Sequence, residues 1–359
     1  MTDYIFLLGR DPALSIIEIA SYFQARKQPY HIGEYTEDYI LISTNTLDAE
    51  TTIQQLGGTT KIAIITQELE EPYQGTKNKI TYSINNFTEN KELYEDIKLQ
   101  LITSLKEQGL KIIERKKLEK KPSKAANVDL EIVVAGEHVG IVQATAKTKD
   151  YQERDEKRPN FEAARVISIR LAKILINLSQ AKPGTTLLDP YCGLGTILQE
   201  ALLQKINVIG TDNDKIMIKK TQENLQWLGK TTNYQLINAD ATKLGNLNIQ
   251  TDQAATEPYL GPYIKTVMNK EEALQLAQEL EQLYTKTLQQ LHKIVQGKIA
   301  FIFPRFKTKQ NERVTLRIDK ILADSGYKSY QPYKGIAMPI PYYHKRSAIE
   351  RFIYVLEKN

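Results

Sequence analysis

Cysteine is nearly absent: Cys192 is the one thiol in 359 residues. A single thiol forms no internal disulfide and no multi-cysteine zinc site. Histidine is also scarce. His31, His138, His292 and His344 lie far apart and show no ligand spacing, so no metal is expected. No apolar run approaches the ~20 residues that a membrane helix needs. The opening stretch MTDYIFLLGRDP carries no basic segment before its apolar residues and has an acid at Asp3, which argues against a secretory signal. A cytoplasmic address and no membrane partner are the expectation. No repeat of ~20–50 residues is visible and no segment is low in complexity.

What is present describes an ordinary globular chain. Hydrophobic residues make up 41% and charged residues 25%, and the length predicts two or three domains. The net charge of +5 is mild, but its placement is uneven. Between Lys106 and Lys124, eight Lys/Arg face three acids, a local excess equal to that of the whole chain. A second basic run holds Arg305, Lys307, Lys309, Arg313, Arg317 and Lys320. Such runs are the footprint of a polyanion partner, or else solvated helix faces.

The first third alternates short strands and helices. Strands are predicted at Tyr4–Leu8, Tyr39–Ser43, Lys61–Thr66 and Lys111–Glu114, with helices opening at Asp11-Pro12 and over Leu93–Gln108. Val128–Val134 alternates apolar and acidic residues, the pattern of a strand with one solvated face, and Ala135-Gly136 turns it into a hairpin with Glu137–Ala144. Lys147–Asn160 is dense in charge and ends in Arg158-Pro159, the composition of a linker. Phe161–Ser179 reads as an amphipathic helix.

From Ala181 the rhythm becomes α/β. Strands are expected at Thr185–Asp189, Asn207–Asp212, Tyr234–Asp240, Asp252–Pro258, Lys298–Pro304 and Ile349–Leu356. Helices are expected at Thr196–Gln204, Asp214–Leu228, Lys270–Leu291 and Asn311–Ser325. This order predicts an α/β fold with a mainly parallel, doubly wound sheet, whose ligands bind at the C-terminal ends of the strands.

The strongest local signal is Leu187-Leu188-Asp189-Pro190-Tyr191-Cys192-Gly193-Leu194-Gly195-Thr196. An apolar strand ends in an acid, a turn with two glycines follows, and a helix begins. Glycine lets backbone approach a ligand closely, and a helix start points N–H groups into the same space. There is no Gly-Lys-Ser/Thr, so this is no P-loop. Leu198 stands where a dinucleotide fingerprint needs its third glycine. Asp212 ends the next strand, where a carboxylate can accept from two ribose hydroxyls. Asp240 ends the third. Each acid alone could be a helix N-cap, but three at consecutive strand ends fit one site better.

This constellation resembles the class I S-adenosylmethionine-dependent methyltransferases, in the Asp-Pro-Phe-Cys-Gly-x-Gly form of enzymes that act on exocyclic amines of nucleic-acid bases. The resemblance implies S-adenosylmethionine as cofactor. It places Gly193 and Gly195 at its methionine part, Asp212 at its ribose and Asp240 with the Ala241 amide at its adenine; Asn213 lines the same pocket, and Asp189, Pro190, Cys192 and Thr196 complete the cofactor-binding set. Cys192 is read as a small buried residue of that motif and not as a nucleophile. At the fourth strand end the family carries Asp/Asn-Pro-Pro-Tyr/Phe, whose acid or amide accepts from the target NH2 while the aromatic ring stacks on the base. Here the chain reads Ala255-Thr256-Glu257-Pro258-Tyr259-Leu260-Gly261-Pro262. Thr256 takes the place of the acid if Pro-Tyr is aligned without a gap, and Glu257 if one residue is dropped. Glu257 is preferred, because a carboxylate can do the same work.

Phe6–Ile19 is similar to the opening of the archaeal and eukaryotic tRNA guanine-10 N2-methyltransferases. Val128–Val134 with Gly140-Ile141-Val142 resembles the end of a THUMP domain, an RNA-binding module. Arg154–Pro159 and Arg170–Leu178 are similar to that family's linker and the helix after it. The resemblance implies a ferredoxin-like domain over 1–70, a THUMP domain over 71–146, a linker over 147–160 and a Rossmann-like methyltransferase domain over 161–359. It implies tRNA as partner and methyl transfer to N2 of a guanine, with position 10 the expected target. Lys116, Lys117, Lys120, Lys121 and Lys124 then become RNA-binding candidates, and Pro341–Ser347 a further contact segment or a basic turn. Eukaryotic relatives use a small activator subunit, on which this sequence is silent. The alternatives are another guanine or adenine amino group in RNA or DNA, or an inactive RNA-binding protein with a degenerate methyltransferase fold.

Overall fold

The structure, a computed structural model, describes residues 1–115, 128–162, 167–229, 232–262, 267–343 and 347–359. They fold as two compact units, one of Met1–Ile16 with Lys27–Gln152 and one of Ile17–Arg26 with Glu153–Asn359.

The first unit is built on strands β1 (Thr2–Leu8), β2 (Tyr30–Tyr35), β3 (Tyr39–Thr44), β4 (Thr59–Thr66), β5 (Lys79–Phe87), β6 (Lys111–Glu114), β7 (Leu130–Ala135) and β8 (His138–Thr145). They join in one sheet of order β2-β3-β1-β4-β8-β7-β5-β6. Helices α2 (Ala49–Gln55) and α3 (Lys91–Glu107) belong to this unit, while α1 (Pro12–Ala25) and α4 (Thr148–Lys157) are each divided between the two. Strands from before and after residue 70 share this sheet, because β4 pairs antiparallel with β8. Strand β7 departs from its alternating sequence: every residue in it is buried. Glu131 tolerates this because Lys61 forms an ion pair with it and the Asn85 amide donates to the same Oε1 at 2.8 Å. A buried carboxylate needs such partners. The charged stretch expected as a linker forms α4, which buries none of its residues. A Glu153–Lys157 pair four residues apart lies along it, local support of the kind an exposed helix can use.

The second unit is the α/β half. Its strands are β9 (Thr186–Asp189), β10 (Asn207–Asp212), β11 (Tyr234–Asn238), β12 (Gln253–Thr256), β13 (Ile299–Lys307), β14 (Arg313–Thr315), β15 (Tyr327–Ser329), β16 (Ile340–Tyr342) and β17 (Ile349–Lys358). The main path runs β11-β10-β9-β12-β13-β17-β15. The first five are parallel, and β17 enters antiparallel to β13. Helices α5 (Ile169–Leu178), α6 (Thr196–Leu203), α7 (Lys215–Trp227), α8 (Lys270–Ile294) and α9 (Ile318–Ser325) connect and cover these strands. The longest, α8, starts at a capping box between Asn269 and Glu272. Its buried stripe Leu276, Leu280, Tyr284, Leu288 recurs every fourth residue, the spacing of one helix face. That stripe packs in one core with Phe301 and Phe303 of β13. The helix expected over Asn311–Ser325 starts only at Ile318. The preceding residues alternate exposed Arg313 and Thr315 with buried Val314, a period of two that pairs β14 with β13.

Among the described residues no helix is long and apolar enough to cross a membrane, and no cluster of His, Cys, Asp and Glu could hold a metal ion.

Candidate active site

The site lies at the C-terminal ends of β9, β10, β11 and β12. Parallel pairing aligns these ends. Asp189 is paired with Gly210, and Asp212 with Asn238. Parallel strands all point the same way, so the residues that end them share one edge of the sheet. A cavity of about 810 Å³ opens there, lined by Pro190, Gly193, Asp212, Asn213, Asp240, Ala241, Glu257, Pro258, Tyr259 and Arg351, with others.

The three carboxylates differ in environment. Asp189 is buried beneath the cavity wall, where its Oδ1 accepts from the Thr256 hydroxyl at 2.8 Å and the Tyr191 N–H at 3.2 Å. Burial pushes its carboxyl up to about 7, against the pull of those two hydrogen bonds. Asp212 faces the cavity and fixes the glycine turn. Its Oδ2 accepts from Gly193 N–H at 3.0 Å and its Oδ1 from Asp214 N–H at 2.9 Å. Burial raises it, and these N–H groups oppose the rise. A carboxylate has about four acceptor sites, so each oxygen keeps a lone pair for a hydroxyl in the cavity. Asp240 is more exposed and is lowered, first by the Thr242 hydroxyl and then by the Thr242 N–H. It is the N-cap of a short 3-10 turn over Ala241–Asn246 and lines the cavity as well, so its cap role and its place in the site coexist.

The Gly193-Leu194-Gly195 turn is built for close approach. Gly195 has φ +79° and is the N-cap of α6. A Cβ there would lie 2.7 Å from Thr221 Cγ2, and L side chains rarely adopt that backbone. Gly193 has φ +50°, and a Cβ on it would meet nothing within 4 Å, so its cavity face is bare backbone. Thr221 also donates its hydroxyl to the Gly193 carbonyl at 2.5 Å. Cys192 is buried, and burial raises its thiol well above the ordinary value, which fits packing and not nucleophilic work. Thr196 is buried at the start of α6, where it accepts from Arg158 Nη1 at 3.0 Å.

At the fourth strand end, Thr256 is the last residue of β12 and points inward to Asp189. Glu257 is the first residue beyond the strand and lines the cavity. The structure thus separates the two residues left open by the sequence: the threonine is a buried partner of Asp189, and the glutamate is a carboxylate on the cavity wall. Tyr259 is half exposed on the cavity wall. Its carbonyl is held by the buried Tyr284 hydroxyl at 2.6 Å, and Tyr284 is wedged edge-on against Phe301 and Phe303.

Sequence reasoning missed three residues here. Arg351 of β17 donates from Nε to Glu257 Oε1 at 2.5 Å. Tyr284 pins the loop after β12. Arg158, expected in a solvated linker, is 4% exposed. Of the RNA-binding candidates, Lys116, Lys117, Lys120, Lys121 and Lys124 lie outside the described residues, as do His344, Lys345 and Arg346 of the late basic segment. In the second basic run Arg317 pairs with Glu281, Lys320 with Asp324, and Arg305, Lys307 and Arg313 all with the buried Glu350.

Residues 156–315 match the RMKL-like methyltransferase-domain family. The chain is 41% identical over 123 residues to a tRNA (guanine(10)-N2)-dimethyltransferase of Methanothermobacter thermautotrophicus, covering 34% of this chain and 36% of that protein. It is 27% identical over 168 residues to the protein of the same name from Pyrococcus abyssi, covering 46% and 47%. The chain therefore spans less than half the length of these two relatives. The crystal structure of TrmN from Thermus thermophilus superposes with a TM-score of 0.53 at 14% identity, over 99% of this chain and 100% of that one. That is a likeness of fold.

Proposed function

We propose that this chain is an S-adenosylmethionine-dependent methyltransferase that places a methyl group on the exocyclic N2 of a guanosine in tRNA, at position 10. The observation that carries the reading is the convergence of Asp212, Asp240, the bare Gly193 backbone, Glu257 and Tyr259 on one cavity. The names of the aligned relatives support the guanine and the tRNA.

The residues fit the cofactor. Asp212 offers its remaining lone pairs to two ribose hydroxyls, Asp240 and the Ala241 amide lie where an adenine edge would sit, and Gly193 gives close approach without a side chain in the way. When bound, the cofactor supplies an electrophilic methyl group on a positively charged sulfur. The chain supplies position and field. Glu257 Oε2 accepts a hydrogen bond from the target NH2 and turns the nitrogen lone pair toward the methyl carbon. Tyr259 stacks on the base, and Tyr284 keeps Tyr259 in place through its carbonyl. The enzyme works in the cytoplasm. The first unit grips the tRNA with a ferredoxin-like region over 1–70 and a THUMP region over 71–146. Lys116, Lys117, Lys120, Lys121 and Lys124 meet phosphate there.

The test is incubation with labelled S-adenosylmethionine and unmodified tRNA, followed by nucleoside analysis. N2-methylguanosine mapped to position 10 is expected. Glu257→Ala should lose turnover, by about 10²-fold or more, while binding the cofactor normally. A different methylated nucleoside would move the target. Cofactor binding with no transfer to any tRNA would favour the inactive RNA-binding reading.

A further inference from the structure

The acceptor loop contains a departure that the structure pairs with a second residue. Glu257 carries one methylene more than an aspartate would, hence one more torsion to fix before its carboxylate can aim at a substrate. A flexible acceptor is a poor one, because the amine must be held within a fraction of an ångström of its reacting geometry. The chain meets this from β17. Arg351 is 94 residues away in sequence and donates from Nε to Glu257 Oε1 at 2.5 Å. Its own backbone is well held: it is paired with Pro304 of β13 on one side and with Tyr342 of β16 on the other. Oε1 thereby has a fixed donor that sets the direction of the carboxylate. Among the described residues Oε2 has no protein donor, and both residues line the same cavity.

We propose that Arg351 is the positioning residue for the methyl-acceptor carboxylate: it locks Glu257 by one oxygen and leaves the other for the target amine. The pair Glu257–Arg351 does together what a shorter acid does alone. This rests on the reading of Glu257 given above. Arg351 is offered no contact with the reacting atoms; it acts through Glu257. Its guanidinium is planar and points Nε–H in a fixed direction, which a lysine ammonium does not reproduce.

The experiment measures steady-state kinetics on unmodified tRNA, cofactor affinity by calorimetry and thermal midpoints for R351Q, R351K, E257A and E257A/R351Q. For R351Q, kcat is expected to fall about 10- to 100-fold. The KM for tRNA, the cofactor affinity and the melting temperature should stay close to the parent's, which a merely structural role would not allow. R351K should fall between the two, and it serves as the informative variant if R351Q folds poorly. In the E257A background R351Q should cost nothing further, because its route to the reaction is already gone. Parental kcat in R351Q, beside an inactive E257A, would overturn this inference and leave the acceptor reading standing. An active E257A would overturn the acceptor reading itself. A further loss in the double variant would mean that Arg351 acts independently of Glu257. A faster R351Q would mean that the pair is a latch that substrate must break.

Discussion

The three aspartates at adjacent strand ends do different work because their surroundings differ. Asp189 is the extreme case. The unfolded chain's carboxyl titrates near the ordinary 3.8, while burial pushes the folded one up to about 7. Between those values the folded state keeps a proton that the unfolded state has lost. Stability therefore falls as pH rises through that window and levels off above it; below about pH 4 both states are protonated and no penalty remains. Asp189→Asn keeps an Oδ1 acceptor for Thr256 and Tyr191 and removes the titration. Urea unfolding of cofactor-free protein at pH 5 and pH 8 should show the variant gaining on the parent by on the order of 2 kcal/mol across that interval. A constant difference would mean that Asp189 is not raised. Asp212 carries the opposite expectation, since its worth lies in what it offers to the cavity. Asp212→Ala should weaken S-adenosylmethionine binding about 10- to 100-fold, the scale of losing charge-assisted hydrogen bonds. Calorimetry showing parental affinity would remove the ribose assignment.

At the scale of elements, the turn from β9 into α6 is where backbone conformation shapes the cavity edge. Gly195→Ala must hold φ +79° with a Cβ and bring a methyl to 2.7 Å from Thr221. It should cost about 2 kcal/mol or more in urea unfolding, the left-handed penalty plus the clash. Gly193→Ala meets open space and should cost only the conformational part, about 1 kcal/mol. Equal losses would mean that the Thr221 contact is relieved by relaxation. This turn was legible in the sequence, as were Asp189, Asp212 and Asp240, because strand–acid–glycine–helix is a contiguous pattern and parallel pairing brings successive strand ends to one edge. Arg351 and Tyr284 were not legible. They reach Glu257 and Tyr259 across 94 and 25 residues, and each sits in a stretch that reads correctly as something else, a terminal strand and a helix core stripe. Arg158 was read as linker charge because composition cannot say that the residue just after a charged helix turns inward. β7 was read as half solvated for the same reason: alternation signals two faces, and only the pairing of Glu131 with Lys61 shows that both are buried. The first residues of β14 were absorbed into a helix because a three-residue strand leaves too short a period to outweigh the helical pattern after it.

Across the whole molecule, the second of the two basic runs is largely paired within the fold. In the run from Arg305 to Lys320, Arg317 grips Glu281 through both its side chain and its N–H, Lys320 has Asp324, and Arg305, Lys307 and Arg313 share Glu350. Much of that charge is already answered within the fold. The run from Lys106 to Lys124 carries a surplus equal to the net +5 of the chain, so the rest of the protein sums to neutral. A polyanion is attracted by surplus and not by gross charge. RNA affinity should therefore depend on the first run far more than on the second. Reversal of Lys116, Lys117, Lys120 and Lys121 to glutamate should weaken tRNA binding. It should also flatten the dependence of log affinity on log salt by about 3, nearly one counterion for each lost contact. Arg317→Gln should leave that slope unchanged and instead cost stability, because it removes the guanidinium from a largely buried Glu281 carboxylate and leaves it the backbone N–H of residue 317. Filter binding over a salt series distinguishes the two. An unchanged slope in the lysine variant would make that run a solvated face and move the RNA grip elsewhere, and a reduced slope in Arg317→Gln would mean that the Glu281 pair opens to receive phosphate.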